Sequence, residues 1–332
     1  MDAATQASFT GIQRAAERLR EIQGAEAAPV RTPLVRLPFG GDVYAKAENL
    51  QRTGSFKLRG ATNFLTLLSQ EARMKGVVAY SSGNHAQGVA CAAHRLGIHA
   101  TIVIPDNAPE IKVANTEAWG AQVVRCESRS GERERVAHAL VAQTGGTLVP
   151  PFDHPWIIEG QGTVGLEVAA DLPEVANVLV CLGGGGLLAG IALAMSERCP
   201  DAQIIGVEPE LAADGKASFD AGTLQRWDMA LTARTVADGV RTQSLGEHTF
   251  AVIKAHVAGI LTVSETEIVE ATRDYLTEAK LVVEPTGGLT LAAYRRLLEG
   301  PVDGLSLREG PTVLLVSGGN IDPARLAALL QV

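Results

Sequence analysis

The sequence predicts an open, mainly parallel-sheet α/β protein built from two such units. Strand-length apolar runs alternate with helix-period segments, and glycine-containing turns separate them. Aromatics are only 4% of a chain that is 46% hydrophobic. Such a core has to be built from Ala, Val, Leu and Ile, as in parallel sheets covered by helices. The 332 residues suffice for two domains. A break near Pro150-Pro151 leads us to expect a small, mobile unit of residues 71–152 inserted into a larger one formed by residues 1–70 and 153–332.

Taken in order, residues 8–23 carry apolar positions at helical spacing: Ile12, Ala15, Ala16, Leu19 and Ile22. Arg31 to Leu34 reads as an extended lead-in and Val43 to Glu48 as a strand. From Ser55 to Leu68 the pattern is helical, with Ser55 in the N-cap position. Strands then fall at 77–80, 100–104 and 122–126, and helices at 85–96, 110–119 and 132–143. A second alternating block opens with a helix near Ile157. Strands follow at 178–182 and 203–207 around a helix at 187–198. Helices near 265–280 and 288–299 precede a last strand at 312–316.

The formal net charge is −8, without the basic patches that nucleic acid or an anionic membrane calls for, so neither is expected as a partner. Cys91, Cys126, Cys181 and Cys199 are scattered with no CxxC, which suits a reducing cytoplasm. The first residues carry Asp2 and no apolar run, so no signal peptide is expected. The apolar stretch around 178–195 is interrupted by glycines and is not read as a membrane span.

That interruption is the most informative feature. Gly183, Gly184, Gly185 and Gly186 lie between a strand-like run and a helix-like run. Such a loop exposes backbone N–H groups beside the positive end of a helix dipole and offers a phosphate site. A tight turn needing positive φ would be served by one glycine, and four adjacent ones cost backbone entropy. Neither a Gly-Lys-Ser/Thr sequence nor a dinucleotide fingerprint accompanies them. Three other polar, glycine-containing loops could meet the tetrad at the carboxyl ends of parallel strands: 53–60, 81–85 and 317–320. In the first, Lys57 follows Phe56 at an apolar helix start, where desolvation would lower its pKa and make it a nucleophile. Alone it would read as a surface lysine with a buried stem. A reactive lysine together with a phosphate cradle points to pyridoxal 5'-phosphate held as a Schiff base.

The strings GSFKLRGA (54–61), SSGNHAQGVA (81–90), GQGTVGLE (160–167), GGGGLLAGIA (183–192), VEP (207–209), EPTGG (284–288) and SGGN (317–320) occur in this order. Over nearly its whole length the chain thereby resembles the tryptophan-synthase-β-like (fold-type II) pyridoxal-phosphate enzymes. Within them it resembles the threonine/serine dehydratase and serine racemase branch. The resemblance implies that the larger unit binds the cofactor. Lys57 would carry it and later remove the Cα proton, with Phe56 against its ring and Asn84 on the ring hydroxyl. The Gly183 to Leu187 amides would hold its phosphate, and Ser317 would face the pyridine nitrogen. A serine there makes the ring a weaker electron sink and favours prompt loss of a β-substituent. Ser81, Ser82, Asn84 and His85 would bind the substrate carboxylate, and Arg133 stands where racemase-like members have an active-site arginine. Without the resemblance, Arg133 reads as a solvated helix residue among Glu132, Glu134 and Arg135. Glu208, the Ala212 carbonyl and Asp214 have the spacing of a family metal site, whose oxygen ligands suit Mg²⁺, Ca²⁺ or Mn²⁺. Gln87, Lys112 and Asn320 are compatible with the nucleotide that racemase-like members bind. A homodimer is the family's expected assembly.

The reaction so implied is loss of water from a β-hydroxy amino acid, foremost L-threonine or L-serine, to a 2-oxo acid and ammonia. Alternatives stay open. Ser82 is either a second base, which would make the chain a serine racemase with side elimination, or a turn hydroxyl that binds carboxylate. The segment His154 to Glu159 departs from the dehydratase pattern. Trp156 and Glu159 either reshape the approach to the site or pack at the domain junction, and 3-hydroxyaspartate stays a candidate substrate. A β-replacement synthase and a non-catalytic binding module are the remoter readings. Because the sequence ends at Val332, soon after Asn320, the regulatory domain of biosynthetic threonine dehydratases is not expected.

Overall fold

Two parallel sheets organise the chain in the computed structural model, which describes residues 6–22, 28–81, 83–108, 110–129 and 131–331. The strands are β1 (Leu34–Arg36), β2 (Val43–Ala47), β3 (Val77–Tyr80), β4 (Ala100–Pro105), β5 (Gln122–Cys126), β6 (Thr147–Leu148), β7 (Asn177–Cys181), β8 (Gln203–Pro209), β9 (Gly259–Val263) and β10 (Thr312–Val316). The first seven helices are α1 (Phe9–Glu21), α2 (Lys57–Thr66), α3 (Gln70–Lys75), α4 (Asn84–Leu96), α5 (Glu110–Glu117), α6 (Glu132–Thr144) and α7 (Pro155–Asp171). After them come α8 (Gly186–Arg198), α9 (Asp214–Ala221), α10 (Met229–Thr232), α11 (Glu247–His256), α12 (Glu265–Thr277), α13 (Pro285–Glu299) and α14 (Pro323–Leu329).

The larger sheet has the order β1-β2-β10-β7-β8-β9. Only the β1–β2 pair is antiparallel. Every residue of β7, β8 and β10 is buried, which is why these strands read as unbroken apolar runs. The smaller sheet, β5-β4-β3-β6, is parallel throughout. Its core takes in Leu58, Ala61, Phe64 and Leu65 of α2 and Ile157 of α7, so α2 leaves the large sheet and packs on the small one. Among the described residues no helix is long and apolar enough to cross a membrane.

Differences from the sequence expectation have local causes. Ser55 does not cap α2: Phe56 occupies the N-cap without a side-chain bond, because Ser55 is drawn into a bridge with Gly318. The helix expected to reach residue 280 stops at Thr277, before Lys280 at φ +60°. For Trp156 and Glu159, where two readings stood open, the contacts are packing ones. Trp156 stacks edge-on with Phe64 and His154, and Glu159 accepts from the Ser8 amide at 3.3 Å beneath α1.

A buried ionic cluster ties α2 to the larger sheet. Arg59 donates to Glu48 from Nε and Nη2, both at 2.8 Å, and to Glu167 from Nη1 and Nη2 at 2.7 and 2.9 Å. Lys46, fully buried on β2, reaches Glu167 at 2.6 Å and the Thr32 carbonyl at 2.7 Å. Burial pushes the Glu167 carboxyl up, but Arg59 and then Lys46 outweigh this and hold it below its usual range. Replacing Arg59 with Met would strand Glu48 in the interior. We expect a loss of about 3–5 kcal/mol in urea-unfolding free energy, since removing one partner leaves a buried charge unpaired.

Candidate active site

The site forms where the ends of β7 and β10 meet the start of α2. The Phe56 amide donates to the Ser317 carbonyl at 3.2 Å, so the start of α2 is tied directly to the end of β10. Lys57 is the first residue of α2, and its amine donates to the Pro151 carbonyl at 2.7 Å, 5.1 Å from the Phe56 ring centroid. Burial pushes that amine down to about 8. Its place at the positive end of α2 acts in the same direction. α4 lies close behind: a Cβ at Gly88 would come within 3.1 Å of the Lys57 backbone.

The glycine tetrad joins β7 to α8, with Gly185 in the left-handed region at φ +93°. Among the described residues the amides of Gly183, Gly184 and Gly185 have no acceptor. The carbonyls are engaged instead: Gly184 O accepts from Thr249 Oγ1 at 2.8 Å and Gly185 O from the Ala189 amide at 2.8 Å. Phe152 ties the tetrad to the Pro151 carbonyl that holds Lys57, for a Cβ at Gly184 would lie 2.3 Å from its ring. Leu187 follows, buried in the first turn of α8.

Ser317 follows β10 with its hydroxyl buried and without a partner of hydrogen-bonding geometry; the Cys181 thiol beside it is a weak one. Burial pushes that thiol up to about 11. The Asn84 amide is engaged on both sides. It donates to Glu284 Oε1 at 2.7 Å and accepts at 2.8 Å from Asn320, which also donates to the Thr53 carbonyl at 2.7 Å. Burial, with the charge of Asp238, pushes the Glu284 carboxyl up to about 8.

The substrate-binding candidates divide. Ser81 Oγ accepts from the Gly83 amide at 3.1 Å, which shapes the turn into α4. Ser82 lies outside the described residues. The His85 ring is buried against the Val149 carbonyl at 3.0 Å, and burial followed by the Lys57 charge takes it down to about 3. It is therefore neutral, its Nε2–H donates to that carbonyl, and no ring donor is left for a substrate carboxylate. Arg133 is half-buried on α6, close enough to oppose the rise of the Tyr80 hydroxyl, which burial pushes up to about 12.

Glu208 and Asp214 form a separate buried pair beside the buried Ala212. Glu208 accepts from the amides of Gly215 at 3.0 Å and Lys216 at 2.7 Å, whereas both Asp214 oxygens are buried and partnerless. Burial and then mutual repulsion push Glu208 well above the usual carboxylate range, and burial pushes Asp214 up to about 7. Of the residues compatible with a nucleotide, Lys112 is paired with Asp238 at 2.9 Å, Asn320 is held as above, and Gln87 is buried with a partnerless Nε2. Sequence reasoning assigned nothing to Pro151, Asp153, Asp238, Thr249 or Glu284. For Glu284 the EPTGG string was the available signal; Pro151, Asp153 and Asp238 lie in loops and turns with no pattern of their own, and Thr249 lies in the first turn of α11, a helix the sequence reading did not mark.

The profile of the family described as "Pyridoxal-phosphate dependent enzyme" matches residues 26–318. An L-threo-3-hydroxyaspartate ammonia-lyase from Pseudomonas sp is 45% identical over 98% of this chain and 98% of its own. A serine racemase from Schizosaccharomyces pombe is 41% identical over 98% and 97%. Among solved structures, maize serine racemase superposes with a TM-score of 0.88 at 35% identity, covering 98% of this chain and 97% of that one. Matches of this extent, on a chain that brings a buried lysine amine and a row of partnerless glycine amides to the ends of one parallel sheet, leave one conclusion: the chain belongs to the pyridoxal-phosphate-dependent enzyme family, with the tryptophan-synthase-β-like fold.

Proposed function

We propose that this chain eliminates water from a β-hydroxy amino acid, foremost L-threonine or L-serine, to give a 2-oxo acid and ammonia. The observation that carries this is the Lys57 amine, buried near the Cys181 thiol that lies beside Ser317, and pushed down to about 8. The residues fit the cofactor. Partnerless amides at Gly183 to Gly185, continued by those of Gly186 and Leu187, suit its phosphate, Phe56 its ring face, Asn84 its ring hydroxyl and the orphaned Ser317 hydroxyl its pyridine nitrogen. Bound pyridoxal phosphate supplies an electron sink for charge developing at Cα.

The rest is the work of this chain's own side chains. An uncharged Lys57 takes the Cα proton as general base. Ser317 offers a neutral hydroxyl and so does not stabilise a long-lived carbanion; the electron pair goes to expel the β-hydroxyl, which takes up the proton that Lys57 removed from Cα and leaves as water. The enamine product tautomerises and is hydrolysed to oxo acid and ammonia. Ser81, Ser82, Asn84 and the His85 amide receive the substrate carboxylate, and Arg133 is the nearby cation for a second one. The small unit, residues 71–152, closes over the substrate. A homodimer, which rests on the family resemblance, and action in the cytoplasm, which rests on the scattered cysteines, belong to the same reading.

Two further readings have specific support. The full-length match to the Pseudomonas enzyme favours L-threo-3-hydroxyaspartate as substrate, and the match to the fission-yeast racemase favours inversion at Cα with Ser82 as second base. One panel separates them: L- and D-serine, L-threonine and the 3-hydroxyaspartate isomers, with oxo acid and enantiomers quantified together. Oxo acid from L-threonine or L-serine with little D-product supports the proposal. Turnover confined to 3-hydroxyaspartate, or D-serine as the main product, replaces it.

Lys57→Ala is expected to lower turnover by on the order of 10²–10⁴-fold or more, with loss of the Schiff-base absorption band. In the parent apo-protein, covalent attachment of the aldehyde should speed up as pH rises through about 8, because the amine loses its proton there and not near its ordinary 10.5. A stopped-flow pH profile checks this.

We also assign Glu208, the Ala212 carbonyl and Asp214 to a divalent cation, Mg²⁺, Ca²⁺ or Mn²⁺. Two buried carboxylates, one of them wholly partnerless, suit a hard cation. Saturating Mg²⁺ should raise the thermal midpoint of chelated protein, by roughly 2.7 kcal/mol of stability at a hundredfold excess over Kd. Asp214→Asn should abolish that shift, as calorimetry would show.

A further inference from the structure

The peptide joining Gly184 to Gly185 is clamped from behind by a side chain that the proposed chemistry does not use. Gly184 O accepts from Thr249 Oγ1 at 2.8 Å and from the Gly246 amide at 3.4 Å. A trans peptide points its N–H opposite to its C=O. The Gly185 amide therefore faces away from α11, on the side where the tetrad amides have no acceptor. Thr249 is fully buried, so water cannot take its place. Its hydroxyl has one proton, and of the carbonyls in reach Gly184 O at 2.8 Å is nearer than Gly246 O at 3.1 Å. Contact is direct, since a Cβ on Gly185 would lie 2.8 Å from Thr249 Cβ and Oγ1.

Thr249 is itself held. The Asp153 carboxylate accepts from the amides of Glu247, His248 and Thr249 at 3.0, 3.0 and 3.2 Å, and Thr249 Oγ1 accepts from the Gly246 amide at 3.0 Å. This bond set fixes the first turn of α11. It also occupies the positive end of that helix, which would otherwise compete for an anion at the cradle.

We infer that Thr249 is a positioning residue: with Asp153 behind it, Thr249 orients the Gly184–Gly185 peptide so that the Gly185 amide donates to the cofactor phosphate. The inference rests on the cofactor reading above. Its test is equilibrium titration of the apo-protein with pyridoxal 5'-phosphate and, separately, with pyridoxal, which lacks the phosphate. Thr249→Val keeps the shape and removes the donor. It should bind pyridoxal 5'-phosphate roughly tenfold more weakly, as for one lost hydrogen bond to a charged group. Pyridoxal affinity should be unchanged, and Thr249→Ser should restore the parent value. If Thr249→Val does not fold, Thr249→Ala carries the same comparison. Equal pyridoxal 5'-phosphate affinity in the variant and the parent overturns the inference, as does an equal loss for both aldehydes. A parent that takes up neither aldehyde overturns the cofactor reading, and this inference with it.

Discussion

Burying an amine without a carboxylate is the constraint on which this site depends. Lys46 and Lys57 lie close together in sequence, and the contrast between them is instructive. Lys46 is fully buried yet reaches Glu167 at 2.6 Å and remains a structural cation. Among the described residues Lys57 has one acceptor, the Pro151 carbonyl, and burial takes it down to about 8. An unpaired interior charge is costly, so the group gives up its proton more readily than an ordinary lysine. The same sequence string supplies both outcomes. Two residues after Lys57, Arg59 gathers the carboxylates of Glu48 and Glu167. Those acids are thus already committed, and the amine is left to act as a base.

The parallel sheets explain why the remaining groups converge. Both β7 and β10 run the same way and end in polar, glycine-containing turns, so the tetrad and Ser317 arrive at one edge. The small sheet contributes through α4, whose first residue Asn84 crosses to Glu284, at the N-cap of α13, and to Asn320, just after β10. Lys112 on α5 makes a second crossing to Asp238 at 2.9 Å. Asp238 begins the turn whose Val240 packs on Gly183, where a Cβ would sit 3.1 Å from Val240 Cα. The ties between the two sheets therefore lie against the groups proposed to hold the cofactor.

Much of this was legible in the sequence, and the failures are physical. Buried strands such as β3 and β10 were readable to the residue because apolar runs bounded by turns leave little freedom. Lys57, Asn84, the tetrad and Ser317, the groups of the proposed site, could be singled out because each stands in a short string that carries the family resemblance. The N-cap of α2 was misread because Ser55 has a tertiary partner, Gly318, which no local rule anticipates. Helix α11 went unnoticed for the same reason: its amides are satisfied by Asp153, 94 positions before Glu247. Glu284 could have been weighed from its motif, but its raised pKa comes from burial and from Asp238, neither of which shows in the string.

The Asn84 network carries one more step. Asn320 has an amide nitrogen whose two protons go to the Thr53 carbonyl and to Asn84 Oδ1. That fixes the oxygen end of Asn84, and its nitrogen then spends one proton on Glu284 Oε1. A single N–H of Asn84 is left to face the site, so the amide can only donate there. Glu284, raised to about 8 and hence mostly neutral at pH 7, accepts from Asn84 without placing a full negative charge beside it. A donor with no anion behind it favours an oxygen that carries negative charge, which is the state a ring hydroxyl adopts when it gives up its proton. Glu284 and Asn320 thus determine which end of Asn84 meets a ligand.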